Sequence, residues 1–274
     1  MEDYMPEETI ISVMSDTHDG ATTGLTTDPR NLVQARLLDR YKQAIEWLGC
    51  EPDIILHNGD GWDGKDKKSK DTTEEDMVKQ AMDCADLIVM QKPKREVILV
   101  TGTRYHVMNE DQAFDIVCAE RIKTQMLLKY NREVKVSIRR KLKTTINDWF
   151  VLEARHFIGG SGIPHGRATA PLKSQTWNVL NAALSAKDGG GAPVWPHLML
   201  FGHRHYYLAA ENAWGDVVVL PAWSGLGSVY GDEICDGHVD IGLVKVVVQA
   251  TEAEGWRRDK ILFQAGVVQR MENR

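Results

Sequence analysis

At 274 residues, 43% hydrophobic and 26% charged, the chain has a globular balance and enough length for one large core. No apolar run reaches the ~18 residues that a membrane-spanning helix needs, and a net charge of −6 argues against broad binding to duplex phosphates. Cys50, Cys84, Cys118 and Cys235 lack CxxC spacing, and Met1–Glu8 is acidic, unlike a secretory signal. These features predict reduced thiols in a cytoplasmic protein without membrane association. No linker-like stretch divides the chain, so a single domain spanning 1–274 is expected.

In chain order, the apolar run at 9–14 predicts a buried strand that delivers Asp16 and His18. Leu38, Tyr41, Ile45 and Leu48 then recur at helical spacing, and Gly49 stops the helix. Asp53–His57 reads as a second strand, which delivers Gly59-Asp60 and Asp63. The polar stretch from Lys65 to Asp76 predicts a solvated loop, and Met77, Ala81, Cys84 and Ile88 mark the next helix. Glu96–Val100 is a third strand, followed by Thr101-Gly102-Thr103-Arg104-Tyr105-His106, and Phe114, Cys118, Ile122 and Met126 mark a third helix. This alternation implies parallel strands with helical crossovers.

After Tyr130 the pattern changes. Val134–Ile138 and Trp149–Leu152, with the turn Asn147-Asp148 between them, read as antiparallel strands, the second closing on His156. A glycine-rich loop runs from Gly159 to Arg167 and contains His165. Leu172, Thr176, Val179 and Ala183 predict a further helix, broken at Gly189-Gly190-Gly191. His197–Phe201 reads as a strand that delivers His203 and His205; Val217–Leu220, Leu243–Val248 and Ile261–Phe263 follow as strand candidates. His57, His197 and His238 read as structural or surface residues. Trp195, Trp214, Trp223, Tyr206 and Tyr207 suit a groove, a dimer contact or, by default, core.

Asp16, His18, Asp60, His156, His203 and His205 each lie just beyond an apolar strand-like run. In an extended backbone residues i and i+2 share a side, so Asp16/His18 and His203/His205 each aim two donors into one cleft. Carboxylates and imidazoles without thiolate suit divalent ions, Mn²⁺ first, with Fe²⁺, Zn²⁺ or Ni²⁺ also compatible.

Asp16-Thr17-His18, Gly59-Asp60, His156 and Gly202-His203-Arg204-His205 occur in the order D-x-H, G-D, lone H, G-H-x-H. Across about residues 10–206 the chain thereby resembles the calcineurin-like metallophosphoesterases. The resemblance implies an α/β fold of two mixed β-sheets packed as a sandwich and flanked by helices. It also implies two divalent metal ions: Asp16, His18 and His205 would hold the first, His156 and His203 the second, and Asp60 would bridge them. Such a pair activates a shared water for in-line attack on phosphorus.

The family's G-N-H element is altered here to Gly102-Thr103-Arg104-Tyr105-His106. Thr103 is a poorer ligand than Asn, and His106 is the candidate general acid for the leaving oxygen. This variant element and the glycine-rich stretch after His156 are similar to a phage and prophage subgroup, which implies a bacterial or phage-infected host. Arg104, His165 and Arg167 are candidate phosphate contacts, with exposed loop residues as the plainer reading, and Asp63 is a candidate support for a ligand. The expected substrate is a phosphate ester, favoured as a phosphodiester in nucleic acid or a nucleotide. A phosphomonoesterase on nucleotides or phosphoproteins stays open, as does a catalytically weak scaffold of the same fold.

Overall fold

The computed structural model describes residues 8–64, 72–103, 113–161, 163–187, 192–225 and 239–264. The first half follows the predicted alternation: β1 (Thr9–Met14), α1 (Leu32–Leu48), β2 (Ile54–Asn58), α2 (Met77–Met90), β3 (Glu96–Val100), α3 (Ala113–Tyr130) and β4 (Lys135–Arg139). Each helix has local reasons for its limits. Asn31 caps α1 by accepting the Gln34 N–H, and Gly49 ends it in the left-handed region at φ 71°. Asp76 caps α2 by accepting the N–H groups of Val78 and Lys79.

The second half holds β5 (Leu142–Ile146), β6 (Phe150–Arg155), α4 (Thr169–Ser185), β7 (Leu198–Phe201), β8 (Leu208–Asn212), β9 (Gly215–Val219), β10 (Asp240–Val248) and β11 (Trp256–Gln264). One sheet runs β11-β10-β1-β2-β3-β4 and the other β5-β6-β7-β9-β8. Both are mixed. β1 to β4 are mutually parallel with β10 antiparallel to β1, while β6, β7 and β9 are parallel with β5 and β8 antiparallel at the edges.

Strand alternation decides which side chains meet between the sheets. Ile11, Val13, Leu56, Ile98 and Val100 of the first sheet pack against Phe150, Leu152, Leu198, Leu200 and Val218 of the second. The opposite faces carry helices. Met14, Ile55, Val97 and Leu99 pack with residues of α1, α2 and α3, whereas Met199, Phe201, Val217 and Val219 meet Leu172 of α4. Truncating a fully buried member such as Leu200 to Ala would cost about 2–5 kcal/mol, because the sandwich cannot collapse fully into the void. The architecture is therefore α/β, two mixed sheets face to face with helices outside, as expected. No helix among the described residues is long and apolar enough to cross a membrane.

One expectation about the second half needs correction. β4 extends the first sheet as a parallel neighbour of β3, and the antiparallel partner of β6 is β5, from Leu142↔Ala154 to Ile146↔Phe150. β5 and β8 escaped the pattern because both are edge strands with little apolar signal: only Leu142 and Ile146 of β5 are buried, and no residue of β8 is. Trp223 and Tyr206 are buried, whereas Trp214 is exposed between β8 and β9.

Because β1, β2, β3, β6 and β7 run parallel within their sheets, their carboxyl ends place five connecting segments at one rim of the sandwich. Open α/β sheets bind ligands at such rims.

Candidate metal centre

The six predicted donors converge at that rim in two groups, all buried except His203, which is partly so. Asp16, His18 and His205 form one; Asp60, His156 and His203 form the other, and within each group the ligand atoms lie within 4.8 Å of one another. Asp16 Oδ1 stands 3.2 Å from His205 Nε2 and 3.8 Å from His18 Nε2 and from His156 Nε2, so it faces both groups. Asp60 Oδ2 is 2.8 Å from His156 Nε2.

The route to this convergence differs from the one inferred from strand alternation. Asp16, His18, Asp60, His203 and His205 have φ of 54°, 43°, 46°, 70° and 54°, in the left-handed region and not in extended backbone. These five are the majority of the nine described non-glycine residues with positive φ. Each such residue costs on the order of 1 kcal/mol or more, and such strain persists only where surrounding structure enforces it. Here the enforcement is a lattice of main-chain hydrogen bonds. Asp16 N–H donates to Gly59 O at 3.1 Å, His18 N–H to Asp60 O at 3.0 Å, and Trp223 N–H to Asp16 O at 3.0 Å.

Side chains around the donors fix their orientation. His156 Nδ1 lies 2.6 Å from the carbonyl of Asn58; a carbonyl only accepts, so Nδ1 carries the proton and Nε2 is left to face Asp60. Asp63 Oδ1 lies 3.4 Å from His18 Nδ1. Ser15 donates to Asp16 Oδ2 and, at 3.0 Å, lies within reach of Asn58 O. Thr103 donates to Asp60 from its N–H at 2.6 Å and from its hydroxyl at 3.2 and 3.3 Å, so its hydroxyl is engaged with a candidate ligand. Close approach makes glycine necessary here: a Cβ on Gly102 would sit 2.0 Å from Asp60 Oδ1, and one on Gly59 would sit 2.4 Å from the His156 ring.

Charge follows from this crowding. Burial pushes the Asp16 carboxyl up, but His156, His205 and hydrogen bonds from His18 and His205 outweigh it and hold it well below the usual carboxylate range. Burial pushes His18 down, yet Asp16, Asp63 and Asp60 raise it to about 10. His156 rises likewise against burial, to about 9, through Asp60 and Asp16. His203 moves down to about 4 through burial and the charge of His156. Donors about 2.0–2.2 Å from a common ion stand roughly 3.0–3.5 Å apart, and the Asp16–His205 spacing already meets this. The donor chemistry of each group fits a divalent ion, and the Asp16–His205 spacing suits one.

Of the remaining candidates, His165 is exposed on the short turn Pro164–Gly166. Arg167 places its guanidinium 4.7 Å from the Tyr206 ring. Arg104 and His106 lie outside the described residues. Three residues were not singled out by the sequence: Ser15, Asn58 and Phe157, whose ring is 4.9 Å from that of His203. Each adjoins a predicted ligand or its motif, which is the signal that would have found them.

No family model and no curated protein matches the chain. Solved structures with similar folds include an archaeal phosphodiesterase, 14% identical with a TM-score of 0.40, covering 92% of this chain and 100% of that one. A predicted phosphoesterase from Streptococcus pneumoniae is 12% identical, TM-score 0.38, covering 93% and 90%. Vps29 from Entamoeba histolytica, complexed with zinc, is 12% identical, TM-score 0.39, covering 93% and 100%.

Proposed function

We propose that the chain is a metal-dependent phosphoric ester hydrolase that holds two divalent ions, Mn²⁺ in first place, and cleaves phosphodiesters. The observation that carries this reading is the pairing of two groups, each with one carboxylate and two imidazoles, facing each other across Asp16 Oδ1. Two ions held there would supply Lewis acidity toward phosphoryl oxygens and an acidified water as nucleophile.

The chain's own residues do the rest. Asp16, His18 and His205 hold one ion, and Asp60, His156 and His203 the other. Asn58 O fixes the His156 tautomer, Asp63 steadies His18, and Thr103 steadies Asp60. These supports set donor positions before substrate arrives, so little reorganisation accompanies charge development. His106 is the proposed proton donor to the leaving oxygen, a role that matters most for the poor alkoxide leaving group of a diester. No side-chain nucleophile is required.

The test uses protein stripped of metal and reloaded with Mn²⁺, assayed on bis(p-nitrophenyl) phosphate beside p-nitrophenyl phosphate. Metal-dependent cleavage of the diester, reduced more than about 100-fold by Asp60→Asn, is the expected result. Cleavage of the monoester alone replaces the diesterase with a phosphomonoesterase. Inactivity on both in metal-loaded protein sinks the hydrolase.

A further inference from the structure

Phe157 directly follows the candidate ligand His156, yet its side chain is 64% exposed. It stands tilted at 41° with its ring centroid 4.9 Å from that of His203. His203 is the least buried of the six donors: the other five are buried and it is only partly so. The site therefore opens to solvent beside this ring. A phenyl group left mostly in water forfeits about 1 kcal/mol or more of burial, and here it does so at the lip of an otherwise polar cleft.

The loop that follows Phe157 lies against the segment carrying His203 and His205. A Cβ on Gly160 would fall 2.0 Å from the Arg204 guanidinium carbon, so that group lies directly on the loop backbone. Arg167, at the far end of the loop, packs over the Tyr206 ring at 4.7 Å. An exposed aromatic face beside a phosphate site is what a planar substrate group stacks on.

We infer that Phe157 is a specificity-determining residue that stacks a planar aromatic ring attached to the substrate's phosphate ester, a nucleobase being the ring of that kind most often joined to phosphate. This rests on the reading of the two donor groups as a phosphate-ester site. It names the class of ester selected: one whose alcohol carries an aromatic heterocycle, in preference to a bare sugar phosphate.

The test is binding, kept separate from turnover. Mn²⁺-loaded protein is titrated calorimetrically with the monomethyl esters of the methylenephosphonate analogues of adenosine 5′-monophosphate and of ribose 5-phosphate, diester mimics in which a P–C bond replaces the ester to the sugar. The adenosine compound should bind about tenfold more tightly, the effect of one base–aromatic stack. Phe157→Ala should erase that gap, and Phe157→Tyr should keep it. If Phe157 merely props His203, Phe157→Ala weakens both analogues alike and the gap survives, which overturns the inference. Equal affinities in the unaltered protein, or no binding of either, overturn it as well. A gap that behaves as expected in a protein that hydrolyses nothing would uphold the stacking role and remove the hydrolase instead.

Discussion

The His203 backbone N–H donates to both carboxylate oxygens of Asp16, at 3.2 Å to Oδ1 and 3.1 Å to Oδ2, across 187 residues of sequence. One carboxylate thus ties the end of β1 in the first sheet to the turn after β7 in the second, while also facing both imidazole groups. Asp16 is therefore a structural joint as well as a candidate ligand, and His203 contributes to the joint through its main chain.

The two residues should then separate in mutational tests. Asp16→Ala leaves the part-buried His203 N–H without this acceptor and should lower the unfolding free energy of metal-free protein by about 1–3 kcal/mol. His203→Asn keeps the N–H, and Asn tolerates the left-handed backbone, so its stability should change by less than about 1 kcal/mol. Both should lose tight Mn²⁺ binding. Urea unfolding beside metal titration checks this, and equal stability losses would mean that the Asp16–His203 link carries no weight.

Glycine placement gives a second test with an internal control. A methyl group at Gly102 would meet Asp60 Oδ1 at 2.0 Å and Asp60 N at 2.4 Å, and the latter is backbone that cannot rotate away. A methyl group at Gly159 meets only Ala170 Cβ, at an ordinary 3.8 Å. Gly102→Ala should weaken Mn²⁺ binding by at least about tenfold with far-UV dichroism retained, by displacing Asp60. Gly159→Ala should bind as the unaltered protein does. Unchanged affinity in Gly102→Ala would show that Asp60 has latitude which its contacts do not suggest.

Much of this arrangement was legible in residue order. Runs ending at Met14, His57, Val100, Leu152 and Phe201 predict strands, and helical spacing between the first three predicts parallel crossovers, which bring strand ends to one rim. What escaped has physical causes. β5 and β8 sit at sheet edges, where one-sided burial leaves a mostly polar sequence. The convergence of Asp16 with His18, and of His203 with His205, was read from strand alternation, whereas left-handed turns produce it. Such turns depend on hydrogen bonds from distant segments, such as Asp16 N–H to Gly59 O, which local pattern does not encode. The Thr103 substitution read as a weakened ligand; its contact with Asp60 emerges only once β2 and β3 lie side by side.

The last prediction concerns a buried acid outside the metal centre. Asp115, in the first turn of α3, is 3% exposed and its Oδ2 has no hydrogen-bond partner. Burial pushes its carboxyl up to about 7, against the opposing pull of His57. Below pH of about 3.9 the folded and unfolded chains both hold this proton, and the group contributes nothing to their difference. Between about 3.9 and 7 the unfolded chain releases the proton while the folded chain keeps it, so stability falls by about 1.4 kcal/mol per pH unit. Above about 7 both have released it and the loss becomes constant. Asp115→Asn removes the titration, whatever fixed cost the amide adds. The variant's unfolding free energy relative to the unaltered protein, from urea curves at pH 5, 6, 7 and 8, should therefore rise by about 2–3 kcal/mol and level off above pH 7. A difference that stays flat across this range would place the Asp115 proton on an ordinary carboxylate and make the buried site wetter than its burial implies.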